Sequence, residues 1–360
     1  MIDIKFFIFL IFIFLYFIPN NEIRESILKT VSYLWFIFTV LYTVYIYYTK
    51  DKEYETSYKS KYCEVLPSNK SPEIIGFLLS CDVKKESFIS VIMELIRKGS
   101  ILIGRSIKSK EYFLINNKDD RNYLSRTETY IKNWLFKNTG DGERVSISAI
   151  KREAKHNSGY FYSCYKEWLD LVNFECTKYT FFENKKNLIE QVLLFFVISY
   201  LLVLYNIFLL QSYIIAMLIF TFTTGFLIYV NSFYRRNKES NREYEEWLAF
   251  KRFIQKKNNS LDDLSVDTLA TYAVYTKVLG VYKEFKNILL KKYSKDKEQI
   301  ESNILLYSIC LGIMDDIDKI LQDGIKISIL ANIMFAKNHG CKTMRKLNNP
   351  IENIKLINKE

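Results

Sequence analysis

Residues 191–234 carry no charge, and Arg235 and Arg236 follow at once. A buried helix of a soluble domain is usually only a few turns long. A bilayer core of about 30 Å, at about 1.5 Å per helical residue, asks for about 20 apolar residues. The run therefore predicts a hairpin over residues 190–233, with spans Val192–Leu210 and Tyr213–Val230 and the turn Gln211-Ser212 between them. A second uncharged run, Thr30–Thr49, lies between Lys29 and Lys50 and ends in Tyr45, Tyr47 and Tyr48. It predicts a span over residues 31–48 with an aromatic belt at one interface. Phe6–Ile18 is strongly apolar but shorter. Residues 2–18 read as a short span or as the apolar core of a secretory signal, and no Ala-x-Ala-like site follows them. Both readings give the same topology after Asn20.

Outside the spans the pattern becomes amphipathic. Lys50–Lys70 is charged and reads as a juxtamembrane linker. Ser71-Pro72-Glu73 has an N-cap, a proline at the first helical position and an acid in the first turn. Ile74, Ile75, Phe77 and Leu78 give the helix Pro72–Cys81 an apolar face. Phe88, Val91, Ile92 and Leu95 repeat at i, i+3, i+4, i+7 over Lys84–Lys98, and Gly99 ends that helix. Strands follow at Ile101–Ile103 and Glu111–Ile115, with Arg105, Lys108 and Lys110 in the connecting tip. Helix, helix and β-ribbon outline a winged-helix-like unit over residues 71–118. A second such unit is expected over 119–186, with a helix opening at Leu124-Ser125-Arg126-Thr127-Glu128, a strand at Val145-Ser146-Ile147, and a helix over Tyr160–Cys176. Residues 234–292 read as a helical block and 293–360 as a helical tail. The expected fold is thus a mostly α membrane protein: about four transmembrane helices, winged-helix-like α+β units and a helical C-terminal region.

Lys and Arg near the span ends set orientation. Lys50, Lys52, Lys59 and Lys61 follow the first long span, and Lys178, Lys185, Lys186, Arg235, Arg236 and Lys238 flank the hairpin. Residues 19–30 balance Arg24 and Lys29 against Glu22 and Glu25, and the hairpin turn is uncharged. Both soluble regions are expected on the cytoplasmic side. The net charge of +11 would point to nucleic acid in a soluble protein. Here attraction to anionic lipid accounts for much of it, and acids and bases interleave through residues 50–186. The six cysteines, Cys63, Cys81, Cys164, Cys176, Cys310 and Cys341, include no Cys-x-x-Cys pair, and His156 and His339 sit at no zinc-finger interval. Reduced, mostly buried thiols are expected.

Two blocks of this chain resemble a known family. The first is Ser71-Pro72-Glu73-Ile74-Ile75-Gly76-Phe77-Leu78-Leu79, continued by Val83 through Ile92, Leu95, Gly99 and Ile101-Leu102-Ile103. The second is Trp247-Leu248-Ala249-Phe250-Lys251-Arg252-Phe253-Ile254, then Leu269 through Tyr275, then Leu279-Gly280-Val281. In this order around a hairpin they resemble an uncharacterised bacterial predicted-membrane-protein family (domain of unknown function 2207, YciQ-like) over about residues 50–290. The resemblance marks Pro72, Gly76, Leu78, Gly99, Trp247, Phe250, Tyr272, Tyr275 and Gly280 as signature positions and implies no activity, substrate or cofactor. The family carries a β-rich exterior domain whose place here holds only Pro19–Thr30.

Catalytic chemistry finds little support. No phosphate-binding glycine loop, His-Glu-x-x-His or Gly-x-Ser-x-Gly is present. Ser-x-x-Lys at Ser148/Lys151, Ser163/Lys166 and Ser294/Lys297 is a chance spacing in so Ser- and Lys-rich a chain. Asp315, Asp316 and Asp318 lack the glycine and bidentate Glu of a calcium loop and read as a solvated helix face. The span interiors hold no titratable residue, which argues against a pump or channel. The expectation is a non-enzymatic membrane protein without cofactor, in contact with the lipid bilayer and with protein partners. The first alternative is a tethered nucleic-acid binder using Lys84, Lys85, Arg105, Lys108 and Lys110 on phosphates. The second is an envelope enzyme with an unrecognised site.

Overall fold

The computed structural model describes residues 21–339 apart from 57, 107–110, 120–121, 257–260 and 262–263. In chain order it runs α1 (Asn21–Ile46), α2 (Pro72–Ser80), α3 (Lys85–Arg97), β1 (Ile101–Arg105), β2 (Tyr112–Asn116), α4 (Arg126–Asn133), β3 (Arg144–Ser146), α5 (Ile147–His156) and α6 (Ser158–Cys176). Next come α7 (Lys186–Phe208), α8 (Tyr213–Ser232), α9 (Lys238–Lys256), α10 (Val266–Leu279), α11 (Tyr282–Lys295), α12 (Lys297–Glu301), α13 (Ile304–Cys310) and α14 (Ile313–His339). The chain divides into two units. Residues up to Glu55 and Phe181–Asn241 form one, and Thr56–Thr180 with residues from Arg242 onward form the other.

The first unit is a bundle of α1, α7 and α8. Three helical stretches in it are long and apolar enough to cross a membrane: Glu25–Asp51, Lys186–Phe208 and Tyr213–Ser232. The expected segment over residues 2–18 lies outside the described residues. The stretch Pro19–Thr30, anticipated as an exterior connection, is already helical from Asn21, and α1 continues into a wide turn at Tyr47–Asp51. Polar ties join the helices where hydrocarbon would leave such groups unsatisfied. Trp35 Nε1 donates to Ser199 Oγ at 2.8 Å, and the buried Asn206 donates to Ser32 Oγ and to its own helix at Leu202 O, both at 2.8 Å. Trp35 stacks on Phe195 at 4.9 Å and Tyr42 meets Phe226 edge-on at 5.6 Å. Large apolar side chains such as Leu41, Val197, Leu201 and Met217 face outward.

One end of this bundle carries a polar collar. Lys185 Nζ donates to the carbonyls of Val230, Asn231 and Phe233 at 3.0, 2.8 and 2.7 Å. It closes the C-terminus of α8, where free carbonyls and the helix dipole favour a cation. Arg235 donates to Thr49 O at 2.6 Å and stacks over Tyr54 at 3.6 Å. Arg236 pairs with Glu53 at 2.9 Å. The exit of α1, the entry of α7 and the exit of α8 therefore lie at the same end, as a hairpin following a single span requires.

In the second unit, β1, β2 and β3 form one antiparallel sheet in that order, with Ile103 opposite Leu114 and Leu114 opposite Val145. β3 comes from the second of the two stretches read as separate units, so a single sheet serves both. They share an aromatic core as well. Phe88 of α3 meets Trp134 at 5.4 Å and Trp168 of α6 at 4.8 Å, and Trp134 meets Phe161 at 5.3 Å. Ser125 and Glu128 cap α4 reciprocally as their spacing predicts. The tail is an integral layer: α14 runs along α5 and α6. Gly324 permits that approach, because a Cβ there would lie 2.6 Å from Ala154 Cβ and 3.0 Å from the Phe161 ring.

Of the three acids of α14 expected on a solvated face, Asp316 is exposed, whereas Asp315 and Asp318 are engaged in ion pairs. Asp318 pairs at 2.6 Å with Lys277, which is buried and lies 3.6 Å from the Tyr282 ring, and Asp315 pairs with Lys286. Docking of the tail turns what would be a solvated cluster into ion pairs to α10 and α11.

Candidate functional site

Most of the signature positions lie in the packed helices α2, α9 and α10 of the second unit, and Gly99 and Gly280 end α3 and α10. Pro72 opens α2 after the extended Ser71, and the residues it leads in, Ile74, Ile75 and Leu78, are buried. Gly76 faces both α3 and α10: a Cβ there would sit 2.5 Å from Ser87 Oγ and 3.4 Å from Val278. Gly99 adopts φ 73° and ends α3, with its N–H on Ile96 O and the Ser100 N–H on Leu95 O. Gly280 repeats this pattern at the end of α10, with φ 70° and bonds to Lys277 O and Thr276 O. Both are glycines because a left-handed C′ residue is costly for any side chain with a Cβ.

The second block supplies an aromatic seam between α9 and α10. Trp247 and Phe250 of α9 are fully buried. Trp247 lies 4.9 Å from Tyr275, and Phe250 meets Tyr272 edge-on at 4.8 Å. The apolar faces of these helices were legible from their spacing. What the two tyrosine hydroxyls do was not. Tyr275 donates to Lys70 O at 2.9 Å and Tyr272 to Glu64 O. Arg252 Nε donates to Lys61 O at 2.9 Å, and Glu243 accepts from Ser68 Oγ at 2.6 Å and pairs with Lys70. The presumed linker is therefore fastened across α9 and α10 from Lys61 to Lys70. No periodicity foretells this, since the bonds go mainly to main-chain carbonyls that every sequence has.

A second feature missed by sequence reasoning is Glu73. An acid in a first turn is normally solvated, yet Glu73 is 1% exposed. One carboxyl oxygen accepts from Thr127 Oγ at 2.7 Å and the other has no partner among the described residues. Burial pushes its pKa above the ordinary carboxylate value; the Thr127 hydroxyl opposes that shift and nearby Glu128 adds to it. Glu128 itself is paired with Lys98 at 2.7 Å. A raised native pKa means the protonated form is favoured on folding. Its contribution is complete below the unfolded value of about 4.3 and is lost as pH rises through the native one. Glu73→Gln is accordingly expected to melt at least roughly 2–4 °C above the wild type at pH 8, the shift that about 1 kcal/mol gives a domain of this size. The gap should close toward pH 4. A melting series from pH 4 to 8 checks this, and a gap that widens on acidification would contradict it.

Lys84 is exposed at the N-cap of α3, Lys85 is half-buried, and Arg105 is exposed at the end of β1, stacked 5.2 Å from Tyr112. Lys108 and Lys110 lie outside the described residues. α3 itself is buried from Ser87 to Met93 and again at Leu95 and Ile96. It is packed by α2 and α4 and also by α10, α13 and α14. Three buried or half-buried thiols are unsuited to nucleophilic work: burial pushes Cys164 up, Cys176 up to about 12 and Cys310 up to about 11. Among the described residues no His, Cys, Asp or Glu group is placed to hold a metal.

Three apolar helices tied by sparse polar contacts, joined to a helix-rich module with a three-stranded sheet, define an integral membrane protein with a folded soluble part. The sequence profile described as predicted membrane protein (DUF2207) C-terminal domain matches residues 59–289, more than half of the chain. The chain belongs to that family. The match begins just before the fastened segment, takes in the hairpin and ends within α11. No curated protein and no solved structure matches the chain.

Proposed function

We propose that this is a non-enzymatic protein of the bacterial cytoplasmic membrane, with its soluble module facing the cytoplasm and acting through contacts with other proteins. The carrying observation is that Gly76, Leu78, Trp247, Phe250, Tyr272 and Tyr275 are buried and pack the helices of one module, while Gly99 and Gly280 end two of those helices. Two winged-helix-like motifs, merged through one sheet, would give the module its outline, and residues 2–18 would add a fourth span. The basic residues gathered at the collar end favour a cytoplasmic placement of that end.

The nucleic-acid reading is disfavoured by α3. In a DNA-reading winged helix, the helix before the ribbon presents a free face to the groove; here that helix is covered on both sides. An enzyme with a thiol nucleophile is disfavoured by burial of Cys164, Cys176 and Cys310, which pushes these thiols up.

A photo-crosslinking side chain at Tyr123, 91% exposed, tests the reading in native membranes. Discrete, nuclease-resistant protein adducts are expected. Nuclease-sensitive adducts would move the assignment to a tethered nucleic-acid binder, and an absence of saturable adducts from this and other exposed module positions would overturn it.

A further inference from the structure

The segment Lys61–Lys70 and the helices that hold it differ in how they are built. On the helix side the hydroxyls of Tyr272 and Tyr275 are fixed by their rings, which are buried against Phe250 and Trp247. Glu243 is also mostly covered, its side chain 15% exposed. The packing of the two tyrosine rings on Trp247 and Phe250 does not involve the segment lying across them. On the segment side no residue from Tyr58 to Lys70 is buried, and Val65 is 71% exposed. The segment has no helix or strand of its own. It is held by donors to the carbonyls of Lys61, Glu64 and Lys70, and by the Ser68 and Lys70 side chains on Glu243. A segment that buries little apolar surface opens at low cost, whereas a preorganised acceptor surface stays ready to bind.

We propose that α9 and α10 form a docking groove for a non-helical main chain, and that residues 61–70 are its tethered occupant, a strap that leaves and re-enters. Recognition is of the peptide backbone by two hydroxyls and a guanidinium. Register comes from a hydroxyl and a cation two residues apart, which in extended chain project to the same side and here both reach Glu243. The strap lies near the start of the second unit, six residues after the first crossing between the units. This docking holds whichever partner the module meets.

The test uses the full-length protein in detergent or nanodiscs and a labelled, capped peptide of residues 61–71. A tethered occupant competes at millimolar effective concentration, so wild type should bind the peptide weakly. Weakening the tethered copy with Ser68→Ala and Lys70→Ala, which leave the groove intact, should tighten binding of the peptide by about tenfold or more. Adding Glu243→Gln or, separately, Tyr272→Phe, which keeps the ring packing, should abolish that gain. Failure of the strap-weakened protein to bind overturns the proposal, as does binding indifferent to both groove substitutions or matched by a scrambled peptide. None of these outcomes bears on which side of the membrane the module faces or which proteins crosslink at Tyr123.

Discussion

Truncating Trp247 to alanine is expected to destabilise the soluble module by about 3–5 kcal/mol, a large share of the total stability of about 5–15 kcal/mol typical of a domain. The indole is fully buried, 4.9 Å from Tyr275 and 5.7 Å from Phe250. Its removal opens a cavity where α9 meets α10 and loses aromatic pairing, worth a further ~0.5–1.5 kcal/mol per pair. Trp247→Phe should be far milder. The indole N–H has no hydrogen-bond partner among the described residues, so phenylalanine sacrifices volume without breaking a bond. In thermal melts of the full-length protein, alanine should lower Tm by about 10 °C and phenylalanine by a small fraction of that. Equal effects would show that the seam is not packed as described. Because Tyr272 and Tyr275 hold the strap, the alanine variant should also show faster amide exchange at Glu64–Lys70.

The second large effect distinguishes oil from water as the solvent of α7. Val197 and Leu201 are 54% and 53% exposed on the bundle surface. In water, replacing exposed residues by lysine changes stability by about ±0.5 kcal/mol each. At the centre of a span each lysine costs about 2.5–3.5 kcal/mol, against about 0.3–0.6 gained per Leu, Ile, Phe or Val. The pair Val197→Lys and Leu201→Lys would therefore offset most of the favourable insertion energy of α7. Expected is loss of integration, read as release of the protein by alkaline extraction or a sharp fall in its membrane level. Val65→Lys with Tyr123→Lys, at positions 71% and 91% exposed on the soluble module, should change neither. A Val197/Leu201 double variant that integrates like wild type would remove the basis for calling α7 a span.

Several particulars were legible from residue order alone. The uncharged runs located three spans to within a few residues, because hydrocarbon excludes charge over a fixed thickness. Ser71-Pro72, Ser125 with Glu128, and Gly99 marked helix ends through local backbone chemistry. The aromatic spacing of Trp247, Phe250 and Phe253 gave the buried face of α9. These are rules that act within about a turn or a span. The resemblance of the two blocks to the family came from the same residues, and the profile match over residues 59–289 agrees with it.

What only the tertiary structure decided involves partners far apart in the chain. Phe88 with Trp168, and the pairing of β2 with β3, joined two stretches that read as separate units. Asp315 and Asp318 looked solvated because Lys286 and Lys277 stand 29 and 41 residues away. Glu73 looked like an ordinary first-turn acid until Thr127 and its neighbours enclosed it. The strap looked like a charged linker because its ties run from distant tyrosines to main-chain carbonyls, which carry no sequence signal. Local periodicity records which face of a segment is apolar; it holds no information on which other face will cover it, and in this protein the candidate groove exists only in that second kind of contact.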